Sequence, residues 1–118
     1  MNIANCKIAF LGDSITNGVG VSSNEKIYLN LLRDRFQILA YNYGVSATRI
    51  ACQRKTYRGY VDWDENNFIA RAAKIDITPD IVVVFGGTND FGHGDAPIGT
   101  MEDRDPYTFF GALHTLYT

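Results

Sequence analysis

The sequence predicts an α/β fold built on a parallel sheet. Apolar runs of strand length alternate along the chain with segments that carry apolar residues at helical spacing. An order of strand, helix, strand, helix, strand, helix is typical of parallel strands joined by right-handed crossovers. Each predicted strand also ends at a turn that contains glycine, at Gly12, Gly44 and Gly86-Gly87. These turns should therefore lie at one edge of the sheet, where open α/β sheets place their functional groups.

The first half of the chain contains two predicted strands with a helix between them. The apolar run at residues 8–11 predicts a first strand over residues 7–11. Ser22 followed by Glu25 resembles a capping box and predicts the start of a helix. Residues 36–43 predict the second strand, which Gly44 closes.

The second half begins with an ambiguous segment, residues 48–60, which is rich in Arg and Lys. Apolar residues between positions 68 and 73 predict a helix, and another helix should begin near residues 107–110. Ile81–Phe85 gives the clearest strand signal. Its residues are all apolar and mostly β-branched, as in strands that are covered on both faces.

Size and composition limit the possible functions. A chain of 118 residues predicts a single domain over 1–118. The net charge of −2 does not favour a nucleic-acid or anionic-membrane surface. No apolar run approaches the ~20 residues of a membrane span, and no signal peptide is evident, so we expect a cytoplasmic protein. Cys6 and Cys52 lack the spacing of metal ligands and suit a reducing compartment.

Ser14 is the first candidate functional residue. It lies in Gly12-Asp13-Ser14, between the first strand and a predicted helix start. A serine hydroxyl at this edge of the sheet, beside the N–H groups of a starting helix, can act as a nucleophile next to a ready anion site. An equally plausible interpretation is that Ser14 only caps the helix.

Gly44 and Asn89 are candidate hydrogen-bond donors after the second and third strands. With the N–H of Ser14, the N–H of Gly44 and the amide of Asn89 could surround one oxygen, as acyl transfer requires. Losing one such donor typically costs about 3–4 kcal/mol of barrier. Taken singly, each residue is better explained as part of a turn.

The three motifs together resemble those of the SGNH (GDSL) hydrolase family. Gly12-Asp13-Ser14 is similar to the first block, Asn42-Tyr43-Gly44 to the second and Gly87-Thr88-Asn89-Asp90 to the third. The resemblance implies a flavodoxin-like three-layer α/β/α sandwich, here incomplete with about three strands. It also implies hydrolysis of acetyl or short acyl esters of small molecules or carbohydrates without a metal or cofactor. In that scheme Ser14 is the nucleophile, and its N–H, Gly44 and Asn89 form the oxyanion hole.

The family has its general base in an Asp-x-x-His block near the carboxyl terminus, and no such block occurs after residue 93 of this sequence. We therefore expect a chain truncated at its carboxyl end, and a strand at residues 81–85 that lacks one neighbour. Such an edge favours self-association with a second copy. His93, in a Gly-flanked loop, is a candidate substrate-binding residue and a weaker candidate for a replacement base. His114 is expected on a helix face.

The remaining charged residues give weaker signals. Asp13 and Asp90 could contact substrate, but they are more consistent with orienting their turns. Two local clusters are expected to be solvated surface rather than a metal or anion site, the acidic one at Asp62, Asp64 and Glu65 around Trp63, and the basic one at Arg49, Arg54, Lys55 and Arg58.

The sequence as a whole predicts a serine ester hydrolase. The alternative is a non-catalytic acyl- or carbohydrate-binding module, or an inactive fragment of the hydrolase, which the absence of the carboxyl-terminal Asp-x-x-His block favours. A phosphate-binding function is disfavoured because the glycines at 12, 18 and 20 lack the Gly-Lys-Ser/Thr of a P-loop.

Overall fold

The computed structural model describes residues 2–54 and 66–118. In chain order the elements are β1 (Lys7–Gly12), α1 (Ser14–Asn17), a 3₁₀ turn (Asn24–Lys26), α2 (Tyr28–Phe36), β2 (Leu39–Gly44), α3 (Phe68–Ala72), β3 (Ile81–Phe85), α4 (Thr88–His93) and α5 (Phe109–Tyr117). The chain divides into two compact units. Unit 1 comprises Met1–Ser46 and Ile75–Phe85, and unit 2 comprises Ala47–Lys74 and Gly86–Thr118.

Unit 1 contains the sheet, whose strands run parallel in the order β2-β1-β3. Gly12 at the end of β1 lies opposite Gly44 of β2 on one side and Phe85 of β3 on the other. The carboxyl ends of the strands are therefore aligned, as their glycine-containing turns predict. The α/β fold class with a parallel sheet of about three strands, of the flavodoxin-like kind, is confirmed.

One face of β1 anchors unit 1. Ile8 and Phe10, two residues apart and so on the same face of the strand, are almost fully buried. They pack with Ile27, Leu29 and Ile38 from the segments on either side of α2 and from α2 itself. Burying a large apolar side chain contributes about 1.5–3 kcal/mol, so this cluster fixes α2 against the sheet.

The third strand is less covered than its sequence predicts. In the described sheet β3 pairs only with β1, which makes it an edge strand, as expected for a strand that lacks one neighbour. Val82 is 47% exposed and Phe85 is 46% exposed. The prediction of a strand covered on both faces is therefore wrong. Val82 stays open to solvent, and Phe85 is covered in part by an edge-to-face contact with the Tyr28 ring, at a centroid distance of 5.6 Å.

The start of α2 also differs from the prediction. Ser22 does not cap a helix. Ser23 precedes the 3₁₀ turn without a side-chain cap, and the α-helix begins only at Tyr28. Helix α2 then continues to Phe36 and ends at Gln37, whose φ of 53° is left-handed. The second strand consequently begins at Leu39, three residues later than predicted.

Unit 2 contains three helices among its described residues. α3 begins after Asn67, whose side chain accepts the Ala70 N–H at 2.8 Å, and α5 begins after Thr108, which caps it in the same way. The two helices pack against each other. Phe68 is fully buried and lies so close to Gly86 that a Cβ there would overlap its ring. No helix in the described ranges has the length and apolarity needed to cross a bilayer.

Candidate active site

Ser14 is the first residue of α1, directly after the end of β1. Asp13 is the N-cap of this helix. Its carboxylate, only 2% exposed, accepts the Ile15 N–H at 3.0 Å. The alternative that Ser14 serves only as the cap is therefore wrong. Its side chain is half-buried and makes no hydrogen bond to any of the residues 2–54 and 66–118. This serine hydroxyl has no structural task within the described part of the chain.

The helix that carries Ser14 is held by its third residue, Thr16, which is fully buried. The Thr16 hydroxyl is 2.9 Å from the Tyr28 hydroxyl, and its carbonyl accepts the side-chain amide of Asn42 at 2.8 Å. Burial raises the pKa of Tyr28 above its usual value of 10.0, so the phenol stays neutral. α1 is thus fixed to both α2 and β2.

Gly44 approaches α1 at the end of β2. A Cβ at this position would overlap the backbone nitrogen of Asn17, so only glycine permits the approach. The Gly44 N–H, the predicted oxyanion donor, donates to the Asn42 side-chain oxygen at 2.8 Å. Binding an oxyanion would therefore require this N–H to be shared with Asn42 or released by it.

Asn89 belongs to α4, a short helix that the sequence does not predict because glycines flank and interrupt it. The helix starts after Gly87, whose φ of 113° is left-handed. Asn89 is 8% exposed, and its Nδ2 donates to the Thr48 carbonyl at 3.0 Å. Its Oδ1 lies 3.1 Å from Nε2 of His93. An amide nitrogen carries two hydrogens, so one N–H of Asn89 is left for another acceptor.

Asp90 fastens α4 to the segment that follows β2 in the chain. Its two carboxylate oxygens accept the backbone N–H groups of Ile50 and Ala51, each at 2.9 Å. Ile50 and Ala51 are almost fully buried. This placement agrees with the interpretation that Asp90 orients its turn, as Asp13 does. In both residues the carboxylate is occupied by backbone donors.

A pocket of about 370 Å³ opens beside α4 within unit 2, and sequence reasoning missed it. Most of its lining is apolar or glycine, comprising Gly87, Asp90, Phe91, Gly94, Ala96, Ile98 and Phe109. The available signal was the apolar side chains in a segment otherwise typical of a loop. Phe91 is 97% exposed, which is unusual for phenylalanine and marks an apolar surface next to Asn89 in sequence.

The other predicted residues have varied positions. His114 lies exposed on α5, as expected. Arg49 is buried, contrary to the expectation of a solvated basic patch, and its Nη1 donates to the His93 carbonyl at 3.2 Å. In residues 2–54 and 66–118 no three potential metal-ligating side chains come together. Outside the described residues lie Asp62, Asp64 and Glu65 with Trp63, and also Lys55 and Arg58.

The candidate residues thus fall into two groups, each with its own local geometry. Asp13, Ser14 and Gly44 lie in unit 1, and Asn89, Asp90 and His93 in unit 2. A family model of GDSL-like lipases and acylhydrolases matches residues 10–117, which include all six. The chain belongs to this GDSL-like family. No curated protein sequence matches the chain significantly.

Solved structures support the fold assignment. One crystal structure matches with a TM-score of 0.75 and 29% sequence identity. The match includes 99% of this chain and 51% of the chain in that structure. A protein from Lactobacillus plantarum has a TM-score of 0.73 and 31% identity, over 97% of this chain and 49% of its own. A possible lipase from Chitinophaga pinensis is similar in fold, with a TM-score of 0.61 and 22% identity over 96% of this chain and 42% of its own. The GDSL-like chain spans about half the length of these structures.

Proposed function

We propose that this chain contributes the nucleophile and the oxyanion donors of a serine ester hydrolase that acts on acetyl or short acyl esters. The observation that carries the proposal is that Asp13, and not Ser14, caps helix α1. Asp13 takes over the capping of α1, and the Ser14 hydroxyl is left half-exposed and unbonded within the described residues. Membership of a family of lipases and acylhydrolases supports the same reaction class.

The proposed reaction is acyl transfer through Ser14. Its Oγ attacks the ester carbonyl carbon and gives up its proton, while the carbonyl oxygen takes on negative charge. Collapse of the adduct breaks the bond to the alcohol, which leaves with a proton, and water then hydrolyses the acyl-serine. The proposed donors to the oxyanion are the N–H groups of Ser14 and Gly44 and the second N–H of Asn89, each worth about 3–4 kcal/mol.

The remaining requirement is a base, because a serine hydroxyl is a weak nucleophile at its own pKa. The one Asp-x-x-His in the sequence, Asp90-Phe91-Gly92-His93, overlaps the third motif, and its carboxylate accepts the backbone N–H groups of Ile50 and Ala51. No such block follows it toward the carboxyl end, where the family has its base. We assign the base to a histidine that is not among these 118 residues. In its absence, binding and oxyanion stabilisation would leave a residual rate roughly 10⁴-fold below that of a complete site.

A second candidate function is the binding of acyl or carbohydrate groups without catalysis. The apolar pocket of about 370 Å³ beside α4 favours it, as does the lack of an Asp-x-x-His block after residue 93. In this function the same donors would hold the carbonyl oxygen of a ligand, and the hydroxyl of Ser14 would be dispensable. For both candidate functions, the expected ligand is a small-molecule or carbohydrate ester, or the acid that hydrolysis of the ester releases.

The two functions are separated by reaction with a fluorophosphonate, which modifies activated serines. We expect slow labelling of the native chain, at the residual rate of a site without its base, and none of Ser14→Ala. Ser46→Ala is the matched control, because Ser46 lies in the same unit and accepts the Asn17 side-chain amide. Labelling that persists in Ser14→Ala would rule out Ser14 as the nucleophile, and a native chain that shows no labelling even at this slow residual rate would favour the binding module.

A further inference from the structure

We propose that His93 is a positioning residue that holds the Asn89 side-chain amide in the orientation an oxyanion donor needs. The inference rests on the proposed function of Asn89. It concerns a contact inside α4, between Nε2 of His93 and Oδ1 of Asn89, 3.1 Å apart. The two residues are four apart in the helix and therefore share one face.

The Thr48 carbonyl decides which way the amide of Asn89 faces. A carbonyl oxygen only accepts hydrogen bonds, so the group 3.0 Å from it must be the amide nitrogen. The amide oxygen is then turned toward His93. This oxygen also only accepts, so Nε2 of His93 must carry a hydrogen. The contacts thus assign the Nε2–H tautomer to neutral His93.

The same contacts argue against Nε2 of His93 as the replacement base. Accepting a proton at Nε2 would require this nitrogen to release its own hydrogen and leave the Asn89 oxygen without a donor. As a positioning residue His93 has no such conflict. Both the neutral Nε2–H form and the protonated imidazolium donate from Nε2, so the contact with Asn89 survives protonation of the ring.

The backbone supports this geometry. The His93 carbonyl accepts Nη1 of the buried Arg49 at 3.2 Å, which holds the end of α4. Thr48 and Arg49 are adjacent in sequence, so one short segment contacts Asn89 at one residue and His93 at the next. The amide of Asn89 is thereby held at its nitrogen by Thr48 and at its oxygen by His93.

The tautomer can be measured without any activity. In ¹⁵N-labelled protein, long-range ¹H–¹⁵N correlations distinguish Nε2–H from Nδ1–H histidines, and the His93 signals are those lost in His93→Gln. We expect the neutral ring of His93 to be predominantly the Nε2–H tautomer. The exposed His114 is an internal reference for a histidine outside this contact. An Nδ1–H tautomer at His93 would overturn the proposal.

The positioning role is tested by the rate of fluorophosphonate labelling at Ser14. His93→Leu should label at least about tenfold more slowly, up to the 10²–10³-fold that loss of a whole oxyanion donor costs. His93→Gln should recover most of the rate, because its amide nitrogen can reach the same oxygen. A His93→Leu rate equal to that of the native protein would refute positioning while leaving the esterase proposal intact. If the native chain is not labelled, the esterase proposal fails, and the tautomer alone decides the contact.

Discussion

Replacing Asp90 should destabilise the protein far more than a single surface carboxylate normally does. Its two oxygens accept the N–H groups of Ile50 and Ala51 at 2.9 Å, and these residues are 3% and 0% exposed. A hydrogen bond to a charged group contributes about 1.5–3 kcal/mol, so Asp90→Ala should cost about 3–6 kcal/mol. Asp90→Asn keeps one acceptor and should cost roughly 1–3 kcal/mol.

The measurement is urea unfolding followed by circular dichroism. For Asp90→Asn a loss of about 2 kcal/mol should move the midpoint down by roughly 1 M, since m-values of small proteins are about 1–3 kcal/mol/M. The loss expected for Asp90→Ala approaches the total unfolding free energy of a small domain, about 5–15 kcal/mol. That variant is therefore the less informative one.

Asp103→Asn is the matched control. Asp103 also accepts hydrogen bonds from the backbone and the hydroxyl of Thr100, but both of these bonds are exposed to solvent. Water can replace a lost acceptor there, so the midpoint should barely move. Equal shifts for Asp90→Asn and Asp103→Asn would refute the reasoning, because burial of the donors would then contribute nothing.

Three further predictions concern unit 1. Gly44→Ala should lower the thermal unfolding midpoint by several degrees, because the new Cβ overlaps the Asn17 backbone, and an unchanged midpoint would contradict that packing. Burial raises the pKa of Tyr28, so its contribution to stability is complete below the unfolded value near 10.0 and is lost as the pH rises through the folded value. The unfolding midpoint of Tyr28→Phe should accordingly fall less steeply above about pH 10 than that of the native protein. For the sheet edge, we expect the native chain to self-associate in sedimentation velocity and Val82→Lys to be more monomeric; a native chain that is monomeric at every concentration would count against a reactive β3 edge.

The elements that the sequence predicts well are the strands with an unbroken apolar run and a glycine at the end of that run. β1 and β3 are continuous apolar runs, and glycine ends each of them. The capping pattern at Ser22 gives the wrong helix start because it depends only on neighbouring residues. The start of α2 is instead set by the packing of Ile27 and Leu29 on β1. Helix α4 is hidden because glycine lowers helix propensity.

The candidate site is predictable in its residue types and not in its contacts. The position of Ser14 follows from strand, turn and helix, and the structure adds that Asp13 is the cap. The bonds from Asp90 to Ile50 and Ala51 join residues about 40 apart, and no local pattern encodes them. Burial of Arg49 is likewise a tertiary effect that a count of basic residues cannot reveal.

The two hydrogen bonds of the Asn42 side chain restrict which residues can replace it during evolution. It uses both ends at once, giving a hydrogen to the Thr16 carbonyl and taking one from the Gly44 backbone. Aspartate matches its shape but would set a negative oxygen against the Thr16 carbonyl, and leucine would offer neither partner. Mutational drift at this exposed position should therefore be far narrower than its solvent access suggests, and anyone redesigning the second strand should leave it untouched.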